Sequence, residues 1–208
     1  PRFVLASSVK VNGEATLPGR PFHQADAPDP RDAYGRSKRD AEAMVADACR
    51  GPPTIPVVLR IPLVIGPDAR GNVARLVAAV AGGRTLPFAA IDNRRSVVGL
   101  SNLCDAIVAL VDAEPPPAGV HFVAEDEPVS TPSLVRMIAR ALGQPVPLAY
   151  VPVPLLRIAG MVLGRRAEID RVTGSLEVDA SSLREATGWR PARSLEAEVE
   201  RTVAATLR

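Results

Sequence analysis

Aromatic residues are scarce in this sequence, and charge of one sign is not concentrated anywhere along it. Only 3% of the 208 residues are aromatic, and the formal net charge of +2 comes from basic and acidic residues that are interspersed. Proteins that bind nucleic acids usually carry a basic stripe, aromatic platforms for the bases, or both. We therefore expect no nucleic-acid partner and favour a small-molecule ligand.

Cysteines are also few, and long hydrophobic runs are absent. Cys49 and Cys104 lie in helix-like segments without a further ligand at metal-ligand spacing, which argues against a disulfide framework or a zinc site. We expect both to be buried thiols. No run approaches the roughly 20 uncharged residues of a membrane helix, and the first residues lack a signal-peptide layout. These features predict a folded cytoplasmic protein without a membrane span.

Lysine is rare as well: Lys10 and Lys38 are the only lysines among 25 basic residues. Arginine serves most surface roles, but it cannot supply a compact ammonium on a flexible stem. Lys38 follows Tyr34 by four residues, so both are expected on one face of a helix. A phenol in water, with a pKa near 10, is a poor base at pH 7, and a neighbouring cation favours its ionised form. The alternative is an ordinary exposed tyrosine and lysine.

The apolar pattern predicts an α/β fold. A strand over residues 2–6 ends at Ser7-Ser8, and a buried strand covers residues 57–59. Between them a helix begins at Tyr34, and its apolar face carries Ala41, Met44, Val45 and Ala48. This order is typical of a parallel crossover unit. The periodicity predicts further helices over residues 72–81, 103–111, 134–142, 155–163 and 195–207, and a strand over 120–123. We expect Thr131 to cap the helix that begins near Leu134.

Ser8 stands at the end of the first predicted strand, the edge at which open α/β sheets bind ligands. Together with Tyr34 and Lys38 it would supply a hydroxyl, a base and a cation, which suit oxidation of an alcohol or reduction of a ketone. The alternative is a strand-end hydroxyl that caps a turn. No segment matches Gly-x-Gly-x-x-Gly or Gly-x-x-Gly-x-x-Gly, and Gly82-Gly83 fits a helix C-cap.

Several ordered motifs resemble one known family. They are Phe-Val-Leu-Ala-Ser-Ser-Val-Lys-Val-Asn-Gly-Glu at 3–14, Asp-Ala-Tyr-Gly-Arg-Ser-Lys at 32–38, Leu-Arg-Ile-Pro-Leu-Val-Ile-Gly-Pro at 59–67, Asn-Arg-Arg-Ser at 93–96, and the stretches 174–179 and 188–191. They are similar to motifs of the extended short-chain dehydrogenase/reductases, specifically the NAD-dependent epimerase/dehydratase family acting on sugar nucleotides. The first motif is similar to the branch of UDP-glucose 4-epimerase-like proteins and UDP-N-acetylquinovosamine-type 4-ketoreductases.

The resemblance implies the C-terminal part of a Rossmann-type doubly wound parallel sheet plus a small mixed α/β substrate lobe. Residues 1–70 and about 91–124 would belong to the dinucleotide-binding domain, and about 71–90 and 125–208 to the lobe that binds the nucleotide sugar. The resemblance begins at about the fifth strand of the family, so we expect the first four strands and their Gly-rich fingerprint to be missing from this chain. It also implies a homodimer in the full-length form.

The resemblance assigns roles residue by residue. It implies that Ser8, Tyr34 and Lys38 are catalytic residues. It further implies that Lys38 holds the ribose of NAD(H) or NADP(H) and that Ile61 and Val64 lie beside the nicotinamide. The substrate diphosphate would be bound by Asn72, Arg95 and Arg171. For Asn72 the alternative is a helix N-cap, and for Arg171 it is a solvated surface arginine. The sequence also departs from the family at three positions, where Asn12, Ile61 and Leu63 replace its usual tyrosine, proline and asparagine.

The implied function is oxidation or reduction at C4 of a UDP-sugar in the synthesis of surface-polysaccharide precursors. The residues leave two outcomes open, a 4-epimerase and a 4-ketoreductase. A third hypothesis is that the protein is not an enzyme but a truncated non-catalytic remnant or binding module that lacks the cofactor cradle. Because the first four strands and the Gly-rich turn are expected to be missing, we expect the isolated 208-residue chain to self-associate and to show no measurable NAD(H) binding.

Overall fold

The computed structural model describes residues 1–17, 19–51, 53–69 and 71–206. Within that part of the chain the strands are β1 (Arg2–Ser8), β2 (Ile55–Ile61), β3 (Leu63–Ile65), β4 (Val97–Gly99) and β5 (Gly119–Phe122). The helices are α1 (Ala33–Ala48), α2 (Asn72–Ala81), α3 (Leu100–Asp112), α4 (Thr131–Ala141), α5 (Val153–Val162), α6 (Arg166–Thr173), α7 (Ser181–Thr187) and α8 (Leu195–Thr206). Leu207, the predicted end of the last helix, lies outside the described residues.

Three strands form a parallel sheet in the order β1-β2-β5. The predicted α/β class and the parallel strand–helix–strand unit of β1, α1 and β2 are therefore confirmed. Val57, Val58 and Leu59 are all buried, so both faces of β2 are covered, as expected for a strand inside an α/β sheet. The register pairs Ser8 with Ile61, so the carboxyl ends of β1 and β2 lie side by side at one edge.

A second, two-stranded parallel sheet joins β3 to β4 and was not predicted. Each of these strands has only three residues, which is too short for a periodic signal. Pro62 separates β2 from β3, and because proline has no backbone N–H it interrupts the ladder at that point. The chain thus changes sheets directly after Ile61.

Two hydrophobic clusters fill most of the interior. One lies between the main sheet and α3 and includes Val57, Leu59, Leu110 and Trp189. The other is built mainly from one face each of α2, α4 and α8; its buried members include Val73, Val77, Val80, Leu134, Val135, Ile138, Val199 and Val203. The i, i+4 and i+3 spacing of these residues explains why the three segments form amphipathic helices that pack together.

The structure corrects several local expectations. The predicted apolar face of α1 is not a buried face: Met44 is 72% exposed, and Gly35 is the one fully buried residue of that helix. Ser130, not Thr131, caps α4, because the Ser130 Oγ accepts a hydrogen bond from the Ser133 N–H at 3.2 Å. Helices α6 and α7 were not predicted, because both segments are too polar to show an apolar helical period.

The expectation of two buried thiols was wrong. Cys104 is exposed on α3, and Cys49 is half-buried just after α1. The described residues contain no cluster of three or more side chains that could hold a metal ion. None of the helices in this part of the chain combines the length and the apolar composition needed to cross a bilayer.

Candidate functional site

A cavity of about 450 Å³ opens at the carboxyl edge of β1 and β2. Its lining includes all of the residues that the sequence analysis assigned to the site, contributed by β1, α1, β2, β3, α2, the segment before β4, and α6: Ser8, Tyr34, Lys38, Ile61, Val64, Asn72, Arg95 and Arg171. These positions span 164 residues of sequence. The fold brings them to one place because parallel strands end at the same edge.

Ser8 is the last residue of β1 and is 8% exposed. Its Oγ accepts a hydrogen bond from the Lys10 N–H at 3.3 Å, so it caps the short 3-10 turn Val9–Val11. The capping alternative is thus correct as a local description. That bond uses Ser8 only as an acceptor, however, and a hydroxyl can donate its proton at the same time.

Tyr34 and Lys38 lie one turn apart at the start of α1. The helix begins where the Asp32 Oδ1 accepts the Gly35 N–H at 2.7 Å. The Lys38 Nζ donates a hydrogen bond to the carbonyl oxygen of Ala6 at 3.0 Å and lies 5.8 Å from the centre of the Tyr34 ring. The ammonium therefore connects the backbone of β1 to the half-exposed phenol.

Gly35 allows this part of α1 to approach the end of β1. A Cβ on Gly35 would lie 2.6 Å from the carbonyl oxygen of Lys10 and 3.0 Å from the Cβ of Pro30. Only glycine tolerates so close a backbone contact without a shift of the helix. The glycine between the phenol and the ammonium is thus a requirement of packing.

The carboxylate of Asp32 contacts Lys10 as well as capping the helix. Burial alone would raise the Asp32 pKa, but hydrogen bonds from Lys10 and from the Gly35 N–H outweigh it, and the pKa lies below its ordinary value. Asp32 therefore remains an ionised cap, a favourable charge at a helix N-terminus.

Arg95 and Arg171 give the cavity a cationic wall. The Arg95 Nη1 donates to the carbonyl oxygens of Arg171 at 2.8 Å and Gly174 at 3.0 Å, at the end of α6. Burial lowers the Arg95 pKa, although a guanidinium stays charged near neutral pH. Among the described residues no group hydrogen-bonds to the buried Arg171 Nε, and the residue is half-buried, which disfavours the solvated-surface alternative.

Neither guanidinium has a carboxylate within 4 Å in the part of the chain that the structure describes. Charged groups that are drawn out of water are normally paired with an opposite charge. Two cations without such a partner at one cavity wall favour an anionic ligand, and guanidinium groups suit the oxygens of phosphates.

Asn72 is the first residue of α2 and is exposed. The N-cap position belongs to Gly71, and no side chain caps this helix, so the N-cap alternative for Asn72 is wrong. A smaller cavity of about 90 Å³ adjoins the main one and shares Asn72, Arg95 and Arg171 with it. Its remaining lining is mostly apolar, with Val73, Leu76 and Leu134 among the contributing residues.

The sequence analysis missed other residues of the cavity wall, notably Lys10, Glu14 and Ser96. The Lys10 Nζ lies 3.4 Å from the Glu14 Oε1 and also contacts Asp32. The rarity of lysine was a signal for Lys10, because Lys10 and Lys38 are the two lysines of the sequence and both line the cavity. Ser96 stands in the Asn-Arg-Arg-Ser motif at 93–96, but no role was assigned to it.

The sequence of this chain matches known proteins over most of its length. The NAD dependent epimerase/dehydratase family matches residues 1–123. The UDP-glucose 4-epimerase of Vibrio cholerae is 38% identical over 207 residues, which is 99% of this chain and 63% of that protein.

Solved structures show the same fold at low sequence identity. A UDP-glucuronic acid 4-epimerase from Bacillus cereus in complex with NAD gives a TM-score of 0.77 at 16% identity, with 99% of this chain and 61% of that one covered. A UDP-glucose 4-epimerase from Thermotoga maritima with UDP-glucose gives 0.76 at 20% identity, with 100% and 64% covered. The predicted fold is confirmed. The chain spans 61% to 64% of the length of these relatives.

Proposed function

Because this chain belongs to the NAD-dependent epimerase/dehydratase family, we propose that its cavity is the site at which C4 of a UDP-sugar is oxidised and reduced, as in a 4-epimerase. One observation carries the proposal. A single cavity combines the hydroxyl of Ser8, the phenol of Tyr34 and the ammonium of Lys38 with the two carboxylate-free guanidinium groups of Arg95 and Arg171. The relatives named UDP-sugar 4-epimerases support the same substrate class.

The arginines would hold the diphosphate of the substrate. Charge-assisted hydrogen bonds to phosphate are among the stronger polar contacts, and the desolvated position of Arg95 strengthens them further. Among the described residues the Arg171 guanidinium has no carboxylate partner, and it lines the cavity in which such a ligand would bind. Asn72 would add a neutral amide donor beside them, at the shared wall of the two cavities.

Residues on β1 and at the start of α1 would carry out the proton transfer. The phenolic oxygen of Tyr34 would take the proton of the C4 hydroxyl as the ketone forms and return it when the alcohol is restored. The hydroxyl of Ser8, which keeps its proton free, would donate a hydrogen bond to the same C4 oxygen. Lys38, held by the carbonyl of Ala6, would place a positive charge beside the phenolate.

The described residues fit the nicotinamide end of NAD(H) or NADP(H). Ile61 and Val64 provide an apolar wall for a ring, and the Lys38 ammonium can donate to ribose hydroxyls. A bound NAD(H) or NADP(H) would supply hydride transfer at C4, which no protein side chain can do.

We further propose that residues 1–70 and about 91–124 form the cofactor half of the site, and about 71–90 and 125–208 the substrate lobe. The two hydrophobic clusters support this division. Most members of the cluster at β2 and α3 belong to the first set, and most members of the cluster at α2, α4 and α8 belong to the second.

Proton NMR of UDP-sugars tests the activity directly. With UDP-glucose or UDP-N-acetylglucosamine and NAD(H) or NADP(H) added to the full-length protein, a 4-epimerase gives the C4 epimer without net oxidation of the dinucleotide. A 4-ketoreductase instead consumes one reduced dinucleotide for each 4-keto sugar supplied. If neither reaction occurs although the UDP-sugar binds, the proposal is wrong and the binding-module hypothesis is favoured.

A further inference from the structure

A buried ion pair lies between α1 and β2, outside the cavity lining. Arg60 on β2 is 3% exposed. Its Nη2 lies 2.7 Å from the Glu42 Oε2, and its Nε donates to the Glu42 Oε1 at 3.1 Å. The two side chains are 4% and 11% exposed, so the guanidinium and the carboxylate meet in a two-point contact that is nearly free of water.

Two further polar groups complete the network. The Arg60 Nη1 donates to the Asn12 Oδ1 at 2.9 Å, and the Ser7 Oγ donates to the Glu42 Oε1. The network therefore connects β1, the turn after it, α1 and β2. These are the elements that supply the hydroxyl, the phenol and the ammonium of the candidate site.

Three members of the network lie close to site residues on the same elements. Glu42 lies one helical turn after Lys38 and two turns after Tyr34, on the same face of α1. Ser7 precedes Ser8 on β1, and Arg60 lies opposite Ser7 in the strand register. A change in how Glu42 meets Arg60 would therefore rotate or lift the helix that carries Tyr34 and Lys38.

Stability alone does not account for a buried ion pair at this place. The cost of removing two charges from water is comparable to their attraction, and apolar residues of similar volume often serve as well or better. A guanidinium–carboxylate fork adds direction, because two parallel hydrogen bonds fix one mutual orientation. Apolar packing does not supply that direction, since Met44 is exposed and Gly35 is the one fully buried residue of α1.

We infer that Arg60 and Glu42 are positioning residues that set the rotation of α1 and hold Tyr34 and Lys38 over Ser8. Neither residue touches the cavity, and they act through the helix. The effect of the pair on turnover rests on the proposed function. Its effect on the orientation of Tyr34 does not, and it can be measured without substrate or cofactor.

The sequence offers a direct probe, because Tyr34 and Tyr150 are its only tyrosines. Protein labelled with 3-fluorotyrosine gives two ¹⁹F NMR resonances, which a Tyr150→Phe variant assigns. The test variants are Glu42→Gln, which removes the charge, and the double variant Glu42→Leu/Arg60→Met, which replaces the pair by apolar groups. The control is Glu198→Gln, which weakens a contact between the fully buried Glu198 and Arg201 on α8.

We expect the Tyr34 resonance to shift or broaden in both test variants while the Tyr150 resonance stays unchanged. The control should leave both resonances in place. If Glu42→Gln does not fold, the double variant decides, because it leaves no buried charge unpaired. A folded double variant with a Tyr34 resonance identical to that of the unmodified protein would overturn the inference.

Kinetics supply the second readout. In an active preparation the double variant should lose about tenfold or more in kcat with KM for the UDP-sugar nearly unchanged, because a displacement on the order of 1 Å can cost up to about a hundredfold. An unchanged kcat, or an equal effect of Glu198→Gln, would show that the pair is merely structural. Absence of turnover in the unmodified protein would instead contradict the proposed function and leave the NMR result valid.

Discussion

The ammonium of Lys38 lies 5.8 Å from the centre of the Tyr34 ring while its Nζ donates a hydrogen bond to the carbonyl oxygen of Ala6 at 3.0 Å. One side chain thus contacts the end of a parallel strand and lies beside a phenol at the start of the following helix. This geometry is the basis for treating Tyr34 and Lys38 as one chemical unit.

We predict that Lys38→Arg lowers turnover by about tenfold or more even though the charge is kept. A guanidinium is planar and wider than an ammonium, so it cannot meet the Ala6 carbonyl in the same space beside the ring. The matched control is Arg39→Lys at the next, exposed position, which should leave kcat unchanged. Steady-state kinetics on the two variants compare them, and full activity in Lys38→Arg would refute the requirement for a compact cation.

We expect substitution of the two cavity arginines to weaken substrate binding similarly but to affect stability differently. We predict that Arg171→Ala weakens UDP-sugar binding by about 2 kcal/mol, roughly a thirtyfold change in Kd, with little loss of stability. Arg95→Ala should weaken binding similarly and also lower the free energy of unfolding, since the Arg95 Nη1 holds two carbonyl oxygens at the end of α6.

Calorimetry and urea unfolding measure the two quantities for each variant. The control is Arg94→Ala, because the exposed Arg94 pairs with Glu177 and does not line the cavity. Unchanged affinity in both Arg95→Ala and Arg171→Ala would remove the cationic wall from the account of substrate binding.

Acid should weaken the start of α1 through Asp32. The native pKa of Asp32 lies below its ordinary value, so the unfolded chain binds the proton more readily. The resulting stabilisation is complete above the unfolded pKa and is lost as the pH falls through the native pKa. We predict that Asp32→Ala costs about 1 kcal/mol at neutral pH, and that this difference shrinks progressively below about pH 5.

Urea unfolding at a series of pH values, followed by the fluorescence of Trp189, the single tryptophan, measures that difference. Asp29→Ala, in the same connection but at an exposed side chain, is the control and should change stability little. A cost for Asp32→Ala that stays constant down to the acid transition would contradict the assigned role of the carboxylate.

Gly35→Ala should be harmful despite the higher helix propensity of alanine. Propensity favours alanine by about 1 kcal/mol, but the new Cβ would lie 2.6 Å from the backbone oxygen of Lys10, and overpacking costs about 1 to 3 kcal/mol. We expect a net loss of stability and a loss of turnover. Ala43→Gly, on the exposed side of the same helix, should destabilise through propensity alone and leave kcat unchanged, so loss of turnover in both variants would contradict this reading.

Local pattern predicted much of the fold because the relevant signals are local. The bounds of α2 agree with the prediction, since a 3.6-residue apolar period continues from Val73 to Val80 and Gly82-Gly83 ends it. The short strands β3 and β4 carried no such period. The apolar positions of α1 did not predict its buried face, because the helix turns Gly35, Lys38 and Glu42 toward the sheet. The burial of Glu42 depends on its ion pair with Arg60, which lies on a different element.

Ser8, Tyr34 and Lys38 were predicted from residue type and spacing, the other site residues came from motif resemblance, and the cavity brings them all together. Their roles stay predictions, as do the homodimer, the cytoplasmic location and the contribution to surface-polysaccharide synthesis. Arg60 and Glu42 could not be identified from the sequence, since a buried ion pair leaves no local pattern. The spacing of Glu42, four residues after Lys38, was the one hint.

The most direct test of the central claim compares turnover and binding in Tyr34→Phe. The phenol is proposed to act in the transition state, so its removal should lower kcat by about a hundredfold or more while the Kd for the UDP-sugar, measured by calorimetry, stays nearly unchanged. Tyr150→Phe, at the other and 76% exposed tyrosine, should match the unmodified protein. Near-normal turnover in Tyr34→Phe would contradict the proposal that this cavity performs proton and hydride chemistry at C4 through Tyr34.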